Sequence, residues 1–215
     1  MRLAIIIEAI PPFCGGAEQV AWVHAVEMAK TYEVAVVTYG KSYEVESREG
    51  VTVHYLPFRK RNLVAYSTIH RSTFRNCIER IRPSVLHCHM PRVLAACAPK
   101  GDHVIVSTIH DGVPENELFA RGIHSRLGWL RFKIMRRFNV RKADAITCVS
   151  RHNLDGMRSI YPEYAEKFSF IPNPIADKYF GPVGNQDGRY VLNFGRQIPL
   201  KMRALLEVAK IMPET

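Results

Sequence analysis

The sequence predicts an α/β fold in which a doubly wound, mostly parallel sheet is covered by helices. Two observations carry this. Short, nearly continuous apolar runs alternate with longer amphipathic ones, as in βαβ units whose strands are buried on both faces. The polar punctuation falls where the apolar runs end, and sheets of this class bind ligands at the carboxyl ends of their strands.

Taken in order, "LAIIIEA" (3–9) reads as a strand, 16–30 as a helix, and "EVAVVTY" (33–39) and "VTVHYLP" (51–57) as strands. Helical spacing returns over 63–82, "SVLHCHM" (84–90) is extended, 92–98 forms a short helix, and "HVIVSTIH" (103–110) is extended again. A long helix or a broken pair fills 116–142, followed by a strand at "DAITCVS" (144–150), a helix at 151–160 and a strand at "KFSFIPN" (167–173). Residues 1–173 thus make one domain. The Pro- and Gly-rich segment 174–189, "PIADKYFGPVGNQDGR", reads as a linker. After it, "YVLNFG" (190–195) predicts a strand and 200–211 a helix. One strand and one helix cannot bury a core, so 190–215 reads as the incomplete start of a second domain.

With 47% hydrophobic and 23% charged residues, the chain has the composition of an ordinary globular protein and no tract long enough to span a bilayer. The opening "MRLAIIIEAIPP" is too short, carries Glu8, and lacks the cleavage site of a signal peptide. Five cysteines without the close spacing of a zinc or redox motif favour a reducing cytoplasm. A net charge of +10 biases the surface toward anionic partners: nucleic acid, phospholipid head groups or phosphorylated substrates. Nucleic acid is the weakest of these, for no reading helix or aromatic stacking motif accompanies the charge.

Four strand ends bring candidate residues to one rim. Gly15 and Gly16 follow the first strand and open a helix, either as a tight turn or as an anion seat on the unpaired N–H groups of the first helical turn. His87 and His89 end a second strand; they are expected on opposite sides of it, which argues against a shared metal, with one lining a cleft and the other in the core. His110 and Asp111 follow a third, where Asp111 either orients His110 or caps the next turn, and Ser150 follows a fourth.

Five pieces in this order, "GGAEQVAWVHAVEMAK", "STIHDG", "DAITCVS", "FIPNPIAD" and "VLNFGRQIPLK", together resemble glycosyltransferase family 4. Its GT-B fold consists of two facing Rossmann-like domains, and the resemblance covers the first half of such an enzyme. It implies a retaining transfer of a sugar from a nucleotide-sugar donor to an acceptor hydroxyl, with no further cofactor and no metal. It further implies that Gly15 and Gly16 let backbone approach the donor phosphates, that His110 faces the transferred sugar as the catalytic histidine, and that Arg196 and Lys201 grip the diphosphate. Fixed cations lower the barrier there because the leaving nucleoside diphosphate gains negative charge. His89, Asp111 and Ser150 are cleft-lining candidates. Met202 departs from the glycine usual at its position. The parts of the family that hold the nucleotide base and ribose lie beyond these 215 residues, so the chain alone is expected to be inactive.

The resemblance assigns the acceptor, a carbohydrate or lipid-linked molecule, to the first domain. Residues 126–142 hold seven basic residues and no acidic one. A helical projection puts Leu127, Leu130, Ile134, Met135 and Phe138 on a core face, and Lys133, Arg136 and Arg137 opposite, with Trp129 and Phe132 nearby. That mixture suits either the anionic inner face of a membrane or a solvated cationic face with partly buried aromatics. The alternative reading of the whole chain is a non-catalytic module binding an acceptor, a membrane or a partner.

Overall fold

A computed structural model of the chain describes residues 1–12, 14–57, 71–89, 101–110 and 126–175; for 126–129, 131 and 132 it describes the backbone alone. The chain divides into two compact units, Met1–Ala176 and Asp177–Thr215. The second unit, with the strand and helix expected there, lies outside the described residues, as does the helix expected at 92–98.

In the first unit the elements run β1 (Arg2–Ile6), α1 (Gly16–Ala29), β2 (Glu33–Gly40), β3 (Glu44–Arg48), β4 (Val51–Pro57), α2 (Arg71–Ile81), β5 (Val85–Cys88), β6 (Val104–Ile109), α3 (Arg126–Lys142), β7 (Ala145–Cys148), α4 (Arg151–Ile160), a 3₁₀ helix (Pro162–Lys167) and β8 (Phe168–Phe170). The strands form one eight-stranded sheet in the order β3-β4-β2-β1-β5-β6-β7-β8. Every pairing is parallel except β3 with β4. This is the doubly wound α/β sheet the apolar alternation predicts.

Strand alternation splits the core in two. On one face Leu3, Ile5, Val34 and Val36 pack against Ala21, Trp22 and Ala25 of α1. On the other, Ala4, Ile6, Leu86 and Ile146 meet Phe74 and Ile78 of α2, Val140 of α3 and Met157 of α4. Lys167, just before β8, ties down the end of α3 by donating to the carbonyls of Val140, Arg141 and Ala143 at 3.4, 3.5 and 2.8 Å. A cation is favoured there because the last carbonyls of a helix lack partners and carry partial negative charge.

The edge strand β3 is an addition to the sequence reading. Its residues "EVESR" are almost wholly exposed, so no apolar period marks them. It turns back into β4 through Glu49 and Gly50, at φ 52° and 80°, the left-handed pair of a two-residue hairpin.

Candidate functional site

The chain leaves β1 toward β2 on one side and returns to β5 on the other, so the sheet reverses its order between β1 and β5. Parallel sheets open a crevice at that point, at the carboxyl ends of the strands. Gly15, His89, His110 and Ser150 follow β1, β5, β6 and β7, all parallel, and therefore share this rim.

Gly15 is the N-cap of α1, at φ −83° and ψ 179°, and no side chain caps the helix. Neither Gly15 nor Gly16 has a positive φ, and a Cβ built on Gly16 meets nothing within 4 Å. Torsion therefore does not require the pair. What the glycines do is leave the first N–H groups of α1 unscreened. The preceding loop is fixed from the sheet edge: Arg48 of β3 donates to the Pro11 carbonyl at 2.8 Å and sits 5.2 Å over the ring of Trp22.

His87 and His89 do not face opposite ways. Residues two apart in a strand share a face, and the two imidazoles lie 4.3 Å apart between ring centroids. They point to the α1 side of the sheet, where His24 joins them at 6.1 and 5.5 Å. His89 Nδ1 lies 3.2 Å from His110 Nε2, so four histidines from α1, β5 and the end of β6 form one cluster. A polar row continues across the same face, with His87 Nε2 2.7 Å from Thr108 Oγ1 and Thr108 Oγ1 2.7 Å from Thr147 Oγ1.

Burial favours the neutral form of His24, His87 and His89. His87 is pushed down to about 4, by desolvation first and then by His24 and His110. His89, 1% exposed, is pushed down further by the same causes together with His87, and burial lowers His24 as well. Neutral imidazoles offer a lone pair each, and the cluster presents these beside the rim.

His110 is held through its backbone as well as its ring. Its carbonyl accepts from Asn153 Nδ2 at 3.3 Å, while the Asn153 backbone N–H donates to Ser150 Oγ at 3.1 Å. Ser150 is thus the N-cap of α4 as well as a rim residue. Asp111, Arg196 and Lys201 lie outside the described residues. His24 and Asn153 were not legible as site residues in the sequence: each reaches the rim from a helix, and no local spacing links a helical residue to a strand end. By contrast, a groove of about 540 Å³ lined by Arg2, Asn76, Glu79, Arg80 and Arg82 lies at the strands' amino ends, away from this chemistry.

Helix α3 presents a different face from the one projected. Met135, Arg136, Asn139 and Val140 are buried, whereas Leu130, Ile134 and Phe138 are 46%, 59% and 41% exposed. Lys133, Arg137 and Arg141 are exposed beside them. Of the apolar residues assigned to the core, Met135 is buried as expected, Leu130, Ile134 and Phe138 instead share the outer stripe with the cations, and the side chain of Leu127 lies outside the described residues; Arg136 leaves the set of surface candidates. The side chains of Trp129 and Phe132 lie outside the described residues. No helix among the described residues is long and apolar enough to cross a membrane.

With this geometry in view, likeness to known proteins is informative. The sequence profile described as Glycosyltransferase Family 4 matches residues 14–179. The chain belongs to glycosyltransferase family 4. No curated protein sequence matches it. Among solved structures, the catalytic domain of starch synthase IV from Arabidopsis thaliana, bound to ADP and acarbose, superposes at TM-score 0.53 and 15% identity, covering 86% of this chain and 53% of the other. The HepE protein of Anabaena in complex with UDP-glucose gives TM-score 0.55 and 15% identity, covering 97% and 50%. A UDP-N-acetylglucosamine 2-epimerase gives TM-score 0.53 and 10% identity, covering 80% and 48%. At such identities the likeness shows the GT-B half-fold alone, shared by transferases and an epimerase, and the family 4 chain spans about half the length of these neighbours.

Proposed function

We propose that this family 4 unit is the acceptor-side wall of a retaining glycosyltransferase that moves a sugar from a nucleotide-sugar donor to an acceptor hydroxyl. The observation that carries the reading is the convergence of Gly15, His110 and Ser150 on one rim at the sheet's switch point, within a chain of this family. In this reading the N–H groups behind Gly15 and Gly16 receive the donor phosphates, since helix N-termini favour anions. His110 is the catalytic histidine, donating to a sugar hydroxyl or to developing charge. His89, Asp111 and Ser150 line its surroundings. Arg196 and Lys201 are the cations that steady a departing diphosphate. HepE and starch synthase IV support a nucleotide or nucleotide-sugar donor, because their structures hold UDP-glucose and ADP.

The acceptor belongs to this unit and, in the same reading, is lipid-linked or otherwise met at an anionic membrane on the cytoplasmic side. Exposed Leu130, Ile134 and Phe138 interleaved with Lys133 and Arg137 favour that arrangement.

The deciding experiment is a transfer assay with the full-length natural protein against a panel of nucleotide sugars, with the anomeric configuration of the product read by NMR. Transfer with retention that falls on the order of 10²- to 10⁴-fold in His110→Ala supports the reading. Full activity in that variant, or an inverted product, overturns it.

A further inference from the structure

The histidines of the rim are more numerous than a single catalytic imidazole requires. His24, His87 and His89 each present one ring nitrogen, and these three nitrogens lie within 4.8 Å of one another. We infer that His24, His87 and His89 form a binding site for a divalent d-block cation of the zinc class, with a fourth position left open toward the rim.

Three observations support this. The first is the donor set: three imidazoles suit zinc, copper, nickel or cobalt and are poor ligands for magnesium or calcium, which want oxygen. The second is the state of the nitrogens. His89 Nε2 and His24 Nδ1 are buried and have no hydrogen-bond partner among the described residues. A buried polar atom left in this way is unfavourable, and a bound cation would remove that penalty.

The third is the outer shell. A metal-bound histidine ordinarily donates its second N–H to a fixed acceptor, which sets the tautomer and aims the lone pair. Here His87 Nε2 lies 2.7 Å from Thr108 Oγ1, itself held by Thr147, and His89 Nδ1 lies 3.2 Å from His110 Nε2. With each acting as donor, the lone pairs fall on His87 Nδ1 and His89 Nε2. Tetrahedral coordination at about 2.0–2.1 Å per bond sets the nitrogens closer together than they lie now. His24, part-exposed on α1, supplies the missing travel by side-chain rotation, while His87 on β5 and His89 just after it stay in place. The site touches His110 through His89: a cation on His89 draws electron density from the ring and makes Nδ1–H a stronger donor to His110 Nε2.

The test uses the intact chain, free of any affinity tag and stripped with EDTA. Zn²⁺ binding is followed by calorimetry and Co²⁺ binding by visible absorption, each also in the presence of excess Mg²⁺. The expected result is one equivalent of Zn²⁺, intense Co²⁺ bands of a tetrahedral nitrogen site, and no competition from Mg²⁺. His24→Ala, a change on a surface helix, abolishes the tetrahedral bands, while His54→Ala, outside the cluster, leaves them unchanged. Thr108→Val, which removes only the outer-shell partner of His87, weakens binding about 10- to 100-fold. A wild-type Co²⁺ spectrum resembling that of the aqueous ion overturns the proposal, as does Zn²⁺ binding that His24→Ala leaves unaltered.

Discussion

His89 Nδ1 lies 3.2 Å from His110 Nε2, which joins a buried residue just after β5 to the histidine proposed above to face the transferred sugar. His89 is 1% exposed, so its ring is fixed by the core while His110 stands at the rim. His89 is on this view a positioning residue. His89→Phe keeps a buried aromatic ring, at the cost of some added volume, and removes the hydrogen bond. It is expected to lower kcat about tenfold with KM little changed, since misplacing a catalytic group costs rate more than binding. In a His110→Ala background the same substitution should cost almost nothing, because the two act through one contact. Equal losses in both backgrounds would show that His89 matters only for folding.

The neutral cluster makes stability depend on pH. An unfolded chain protonates histidine near pH 6.5, whereas folded His87 resists protonation until about pH 4. Between those values the unfolded state binds more protons, so its contribution, complete above pH 6.5, is lost as pH falls toward 4. The slope is about 1.4 kcal/mol per pH unit for one such group. His89, lowered further, extends the same trend to lower pH. Urea unfolding of EDTA-treated protein from pH 7.5 to 4.5 should show this fall, and His87→Gln should flatten it. An unchanged slope in the variant would remove His87 as the cause.

Much of the fold was legible because burial on both faces writes strands as apolar runs: "RLAII", "EVAVVTYG" and "VTVHYLP" stand in the sheet almost where the runs lie. The rim was legible for the same reason, since His110 and Ser150 are the first polar residues after such runs and Gly15 opens the helix that follows the first. Exposed structure leaves no such mark, and β3, paired on one side only and exposed along almost its whole length, buries too little to select apolar residues. The α3 projection held for Met135, Lys133 and Arg137 and failed for Leu130, Ile134, Phe138 and Arg136, for a physical reason too. It assumed that apolar side chains mark the core, but the core takes Asn139 and Arg136 beside Met135 and Val140 and leaves Ile134 outside. The histidine cluster was misread because i and i+2 share a strand face, and His24 meets them only through tertiary packing.

Ser150 and Asn153 set the backbone of His110, so their loss should separate stability from catalysis. Ser150→Ala removes the cap of α4 and is expected to cost about 1 kcal/mol, read as a lower melting temperature. Asn153→Ala deletes the side-chain bond to the His110 carbonyl while keeping the backbone N–H that Ser150 accepts from. It should reduce kcat more than Ser150→Ala does at comparable stability. The reverse order would mean that Asn153 serves the helix and not His110.

The outer stripe of α3 supplies the last expectation. Leu130, Ile134 and Phe138 recur every fourth residue, with Lys133, Arg137 and Arg141 beside them, so apolar burial and attraction to anionic lipid act along one line. Each cation near such a surface contributes about 1 kcal/mol, screened by salt. Sedimentation with vesicles rich in anionic lipid should therefore pellet the protein at low salt and release it as salt rises. Lys133→Glu with Arg137→Glu should abolish pelleting without lowering the melting temperature. Arg136→Glu should do the opposite, because Arg136 is 4% exposed and a carboxylate there would be buried. Ile134→Ser tests the apolar half: it should weaken binding while leaving its salt dependence intact. Pelleting that survives the double charge reversal would place the membrane contact elsewhere on the chain.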